Sequence, residues 1–282
     1  MSQLIEDDVT LPSGVRLAVR AAEGARRPFL LVHGLASNAR LWDAAAVHLA
    51  DAGHQVVAVD QRGHGRSAEP PDGYDTDTCA ADLATLCETL GLTGDRAPVV
   101  AGQSWGGNVV LVLAAKHRAA AAIALVDGGW LRLRGRFATF DDCWERLAPP
   151  DFTGMSMADI SARVLRHHLD WPPESRTSAL GNFVETSDGG VRSRLSRDHH
   201  QSILRSMWQG DPRELYPLVD VPVLLMPAAG PDDADPEVAN ALQAIPRADV
   251  RWYAGADHDL HAQQPSRVAT DLLEFASAAG LS

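Results

Sequence analysis

The segment Gly102-Gln103-Ser104-Trp105-Gly106 places one hydroxyl between two glycines. Val99, Val100 and Ala101 before it read as the end of a buried strand, and the valines, leucines and alanines of 109–116 read as a helix packed on a sheet. A chain that reverses between such a strand and such a helix has little room for neighbouring side chains, which is the situation the G-x-S-x-G pattern describes. Ser104 Oγ would stand above the sheet edge as a nucleophile; the competing reading is a serine that caps the helix. A hydroxyl needs a base to become a strong nucleophile. The stretch "YAGADHDLHAQQP", after the last apolar run, offers His258 and His261. His258 follows Tyr253 by five residues and precedes the closing helix, where a loop can hang its imidazole over Ser104 as general base. His261 is assigned to capping or packing that helix. Asp257 and Asp259 flank His258, but sequence neighbours in a loop rarely reach the geometry of a carboxylate–imidazole bond, so they are set aside.

Attack on a carbonyl creates an oxyanion, which two backbone N–H groups can hold. The apolar run 29–32 leads into His33-Gly34-Leu35, where the glycine lets the chain bend and turn the Leu35 N–H towards Ser104. The Trp105 N–H, directly after the nucleophile, is the second donor. His33 is read as a structural histidine that shapes this hole and borders the pocket, in preference to a proton carrier. The Trp105 indole would line an apolar pocket or, on the competing reading, pack a later insertion against the sheet. Gln103 directs its amide into the same pocket or towards the insertion. The motif "DQRGHGRS" (60–67) is read as structural: Asp60 ends a strand, Gly63 and Gly65 allow a tight loop, and Arg62 pairs with a carboxylate.

The elements that must position these groups are legible as alternation. "PFLLVHG", "HQVVAVDQRG", "APVVAGQS" and "AAIALVDGG" are apolar runs ending in polar or glycine residues, with helical patterns at 39–52, 76–91 and 105–117. "VPVLLMPA" (221–228) and "ADVRWYAG" (248–255) add two strands around a helix at 236–244, and 264–279 closes the chain as an amphipathic helix. An edge hairpin is expected at 9–21 around a Pro-Ser-Gly turn. The fold class is therefore α/β, a mostly parallel doubly wound sheet with reactive groups at the carboxyl ends of its strands. Residues 130–217 lack strand periodicity and carry four of the seven tryptophans, Trp130 among them. They read as a helical cap inserted between two strands of a core formed by 1–129 and 218–282, with Trp130, Gln103 and His33 as candidate pocket residues.

Composition narrows the partners. A chain of 282 residues, 45% hydrophobic and 22% charged, can bury a large core. Its net charge of −12, with no basic stripe, argues against nucleic acid. No apolar run is long enough for a membrane span, and the acidic start "MSQLIEDDVT" is unlike a signal peptide, so a cytoplasmic protein is expected. Cys79 and Cys87 lie about 12 Å apart on one helix, too far for a disulfide, and Cys143 is alone, so all three thiols are expected to be reduced. No cysteine has zinc-like spacing, and the pairs His167-His168 and His199-His200 are adjacent and do not share a helix face. Neither metal nor cofactor is expected.

The motifs "HG" (33–34), "DQRGHGRS" (60–67), "GQSWGG" (102–107) and "GADHDLHAQQP" (255–265) together resemble the α/β-hydrolases of the small-molecule esterase and lactonase type, over nearly the whole chain. The resemblance implies a Ser, acid, His order. Most relatives carry the acid a few residues beyond the strand that here reads "VPVLLM"; "PAAGP" occupies that place, and Asp232 is the first carboxylate after it. Asp127, at the end of "AAIALVD", matches an alternative position used by some haloalkane dehalogenases and lactonases, its competing role being a structural carboxylate that accepts backbone N–H bonds. Asp232 is preferred narrowly and Asp127 stays open. Epoxide hydrolases and haloalkane dehalogenases, resembled in Trp105 and "LVDGGW", use an aspartate nucleophile where this chain has Ser104, which disfavours an alkyl-enzyme route. Proline iminopeptidases, resembled in "DQRG" and "SWGG", make amide cleavage the alternative, although 130–217 shows no clear carboxylate cluster for an ammonium beyond Glu174, Glu185 and Asp188. The expected function is a serine hydrolase of a small apolar ester or lactone; a ligand receptor on the same scaffold is the rival.

Overall fold

A computed structural model describes residues 2–281. Eight strands form one sheet: β1 (Ile5–Thr10), β2 (Arg16–Ala22), β3 (Arg26–Val32), β4 (His54–Val59), β5 (Val99–Gln103), β6 (Ala122–Val126), β9 (Val223–Met226) and β10 (Ala248–Val250). Their spatial order is β1-β2-β4-β3-β5-β6-β9-β10. β1 and β2 pair antiparallel, as the Pro-Ser-Gly turn predicts, β2 pairs antiparallel with β4, and every pairing from β4 to β10 is parallel.

The central strands are apolar on both faces, as a covered parallel sheet requires. Leu30, Val32, Val100, Ile123, Leu125, Val223 and Leu225 join the core on one face, with helices α2 (Thr76–Thr89), α3 (Trp105–Val112) and α9 (Pro236–Ala244). Their alternating neighbours Phe29, Leu31, Val99, Ala101, Ala124, Leu224 and Met226 face the opposite core, under α1 (Asp43–Asp51) and α11 (Pro265–Ala278). The short α10 (Leu260–Gln263) leads into α11. Cys79 and Cys87 are buried in α2 and Cys143 in α5 (Phe140–Leu147), all three unpaired. Burial raises each thiol pKa, that of Cys87 to about 12. No described helix is long and apolar enough to cross a membrane.

Between β6 and β9 the chain forms α4 (Leu133–Arg136), α5 (Phe140–Leu147), α6 (Met157–His167), α7 (Pro173–Ala179) and α8 (Arg197–Gln209). Thr139 with Asp142 and Ser156 with Asp159 make reciprocal capping boxes that start α5 and α6. This segment is not wholly helical, as periodicity had suggested: β7 (Phe183–Glu185) and β8 (Val191–Ser193) form an antiparallel hairpin. Strands of three residues are too short to show an alternation.

The loop that follows β4 is built as the motif at 60–67 suggests. Arg62 makes a buried two-pronged bond to Asp82 of α2, at 2.7 and 2.8 Å. Asp60 accepts from the N–H groups of Ala39 (2.7 Å) and Arg66 (2.9 Å), fixing the chain beyond β3 to the chain beyond β4.

Candidate active site

Ser104 sits between β5 and α3 with φ of +53°, a left-handed conformation that L residues rarely adopt. Such a turn needs missing side chains around it. A Cβ on Gly102 would overlap the Gly106 carbonyl, and one on Gly106 would overlap the carbonyls of Val32 and His33. Ser104 does not cap α3 through its side chain, so the capping alternative fails. Its hydroxyl has no hydrogen-bond partner among the described residues and lines a cavity of about 690 Å³ that His258 also lines.

His258 is half exposed, and its Nδ1 donates to Asp127 Oδ2 at 2.6 Å. That bond fixes Nδ1 as the protonated nitrogen and leaves Nε2 as the base. Burial pulls the imidazole pKa down, but the Asp127 bond and the charges of Asp259, Asp127 and Asp257 outweigh it, and the net shift is upward. Asp127 stands at the end of β6 with φ of +43°, and its other oxygen accepts the Ala228 N–H at 2.9 Å beyond β9. It therefore fills both roles considered for it, imidazole partner and brace. Asp232, preferred on sequence grounds, requires correction. It is an exposed turn residue that makes no bond to His258 and does not line the cavity, because the loop closes on itself through Asp233 N–H and the Gly230 carbonyl, 3.2 Å apart. No hydrogen bond joins His258 Nε2 to Ser104 Oγ, and both residues line the cavity.

The N–H groups of Leu35 and Trp105 have no acceptor among the described residues, and Leu35 lines the cavity. The loop carrying Leu35 is held from behind. The Gln61 N–H donates to His33 Nε2 at 3.0 Å, so His33 donates through Nδ1 to the Gly34 carbonyl at 2.7 Å. The Ala36 N–H donates to His64 Nε2 at 3.2 Å, and His64 Nδ1 bonds the Arg62 carbonyl at 2.9 Å. Burial lowers both histidine pKa values, which suits neutral acceptors. His33 shapes the loop but does not line the cavity. His64 was not singled out in the sequence, although it lies in the motif read as structural.

Gln103 lines the cavity and donates from Nε2 to the His258 carbonyl at 3.2 Å, bracing that loop. The Trp105 indole does not line the cavity; it is fully buried and donates to Thr76 Oγ1 at 3.3 Å, beside Ser206 of α8, so the packing alternative holds. Trp130 is likewise corrected: it is 2% exposed within the core and absent from the cavity wall. The insertion's contribution includes Phe152, Phe183 and Trp171 and one face of α6, Ile160, Arg163, Val164 and His167. Their i, i+3, i+4, i+7 spacing was available in the sequence. His168 Nδ1 and Trp171 Nε1 both reach Asp257 Oδ2, at 3.2 and 3.3 Å, tying the insertion to the loop that carries His258. His261 packs on Trp42 with neither ring nitrogen bonded, and burial drives its pKa down to about 3.

The family model described as alpha/beta hydrolase fold matches residues 27–265. The chain is similar to the non-heme haloperoxidase of Rhodococcus erythropolis, with 29% identity over 263 residues, covering 89% of this chain and 93% of that one. Among solved structures it resembles E-2-(acetamidomethylene)succinate hydrolase, with a TM-score of 0.80 and 23% identity over 98% of this chain and 100% of that one. It also resembles an esterase from Exiguobacterium antarcticum, with a TM-score of 0.72 and 18% identity over 98% of this chain and 100% of that one. These two likenesses are of fold.

Proposed function

Since the chain belongs to the α/β hydrolase fold family, we propose that it is a serine hydrolase that cleaves a carboxylic ester or lactone through an acyl-enzyme. The observation that carries this reading is the 2.6 Å bond between Asp127 and His258, which lines the same cavity as Ser104 with its unpartnered hydroxyl. In this reading His258 Nε2 takes the Ser104 proton as Oγ adds to the carbonyl carbon, and Asp127 steadies the imidazolium. The Leu35 and Trp105 N–H groups hold the oxyanion. Collapse breaks the bond to the leaving oxygen, which takes the proton from His258. Water then adds to the acyl carbon while His258 takes its proton, and the acid departs as that proton returns to Ser104. Residues 130–217 act as a cap over a core of 1–129 and 218–282. The amide alternative is the weaker one, because Glu174, Glu185 and Asp188 do not line the cavity.

Ser104→Ala is expected to stay folded and lose several orders of magnitude in turnover, about 10⁴-fold or more. A fluorophosphonate should label the wild type and leave this variant unmarked. Near-normal hydrolysis by the variant rules out the acyl-enzyme, and an unlabelled, inactive wild type favours a receptor on the same scaffold.

A further inference from the structure

The cavity is not uniformly polar. Asp257, His258 and Asp259 line it together with Ser104, and from the insertion α6 adds Arg163 and His167 beside Ile160 and Val164. The charged groups differ in what they are bound to. His258 is held by Asp127, and His168 by Asp257. His200 bonds the Leu147 carbonyl at 3.2 Å, and burial lowers its pKa to about 4, so it is neutral at pH 7. Arg163 is the one Lys or Arg among the described cavity residues, and it has neither ion pair nor hydrogen bond there. His167, one turn further on, has none either.

An arginine on a helix is usually a solvated surface charge, and α6 has such a residue in Arg166, which lies outside the cavity wall with Ser161, Ala162 and Leu165. Arg163 is exposed like Arg166, but it lies on the arc from the buried Ile160 to the exposed His167 that lines the cavity. A guanidinium matches a carboxylate with two parallel donors. Acidic residues outnumber Lys and Arg 37 to 25, so an anionic substrate meets an unfavourable long-range field and needs a local cation.

We propose that Arg163, seconded by His167, is an anion subsite, and that the substrate is an ester or lactone with a second, ionised carboxylate distal to the scissile carbonyl. This rests on the hydrolase reading above for the reaction, though not for the binding. The first measurement is the ratio of kcat/KM for monoethyl adipate to that for ethyl hexanoate, which have the same reacting end and differ in the distal carboxylate. Arg163→Gln should lower that ratio by about 10- to 100-fold, the effect of losing charged hydrogen bonds, and Arg163→Lys should lower it less. A fall of less than about fivefold in Arg163→Gln overturns the proposal. The second measurement needs no turnover: free adipate should raise the melting temperature of the wild type more than hexanoate does, and Arg163→Gln should abolish that difference. If neither ester is hydrolysed yet adipate protects through Arg163, the hydrolase reading fails and the subsite stands. If both esters are hydrolysed and the ratio does not depend on Arg163, the subsite fails and the hydrolase reading stands.

Discussion

Asp127 meets two demands with one carboxylate, its Oδ2 holding the His258 imidazole and its Oδ1 the Ala228 N–H. Asp127→Asn keeps an oxygen for Ala228 but loses the charge opposite His258. It should lower kcat by about 10⁴-fold, while Asp232→Asn, at an exposed turn, should stay within about twofold. Assaying the two variants side by side checks the assignment. A pH profile adds an independent sign. The base must be unprotonated, and Asp127 favours its protonated form, so the acid limb of kcat/KM should lie above the ordinary histidine value of 6.5 and move to lower pH in Asp127→Asn. Ser104, His258 and Leu35, which line one cavity, could be singled out from sequence because each stands in a segment that follows an apolar run. The carboxylate that meets His258 could not. β6 and β9 are neighbours, one followed by Asp127 and the other by Asp232, and the choice depends on a turn closed between Gly230 and Asp233 that no residue pattern announces.

The elements of the sheet were legible because five of its parallel strands, β3, β4, β5, β6 and β9, are buried on both faces and must read as unbroken apolar runs. The insertion was legible only as an interruption, since its short helices and its hairpin take their positions from contacts with one another and with the core. Trp130 shows what this costs a reading from composition. A tryptophan in an inserted segment suggests a pocket wall, yet this one packs in the core beneath. Trp130→Ala should therefore cost about 3 to 5 kcal/mol of stability, seen in chemical denaturation. Phe183 lines the cavity edge-to-face with Phe152, ring centroids 5.1 Å apart. Phe183→Ala should change the ratio of kcat/KM for bulky and short acyl esters by more than fivefold, about 1 kcal/mol, with a smaller loss of stability. An unchanged ratio would place acyl selection elsewhere.

For the molecule as a whole, buried histidines set the response to acid. His261 is fully buried with a pKa near 3, so the unfolded chain binds its proton first. Its contribution to stability is complete above the unfolded value near 6.5 and is lost as pH falls from there towards 3, roughly 2 to 3 kcal/mol by pH 4.5. His261→Leu should flatten the fall in melting temperature between pH 6.5 and 4.5 by the equivalent of about one proton, and an unaltered slope would refute this. The three thiols offer a different kind of measurement, because they divide between the sheet's own helix α2 and α5 of the insertion. A disulfide reagent can reach a sealed thiol only during an opening, so the native chain carries two chronometers. Should the insertion breathe by itself, one equivalent would react in a fast phase at Cys143 and two in a slow phase at Cys79 and Cys87. A single phase of three would mean that insertion and sheet open as one.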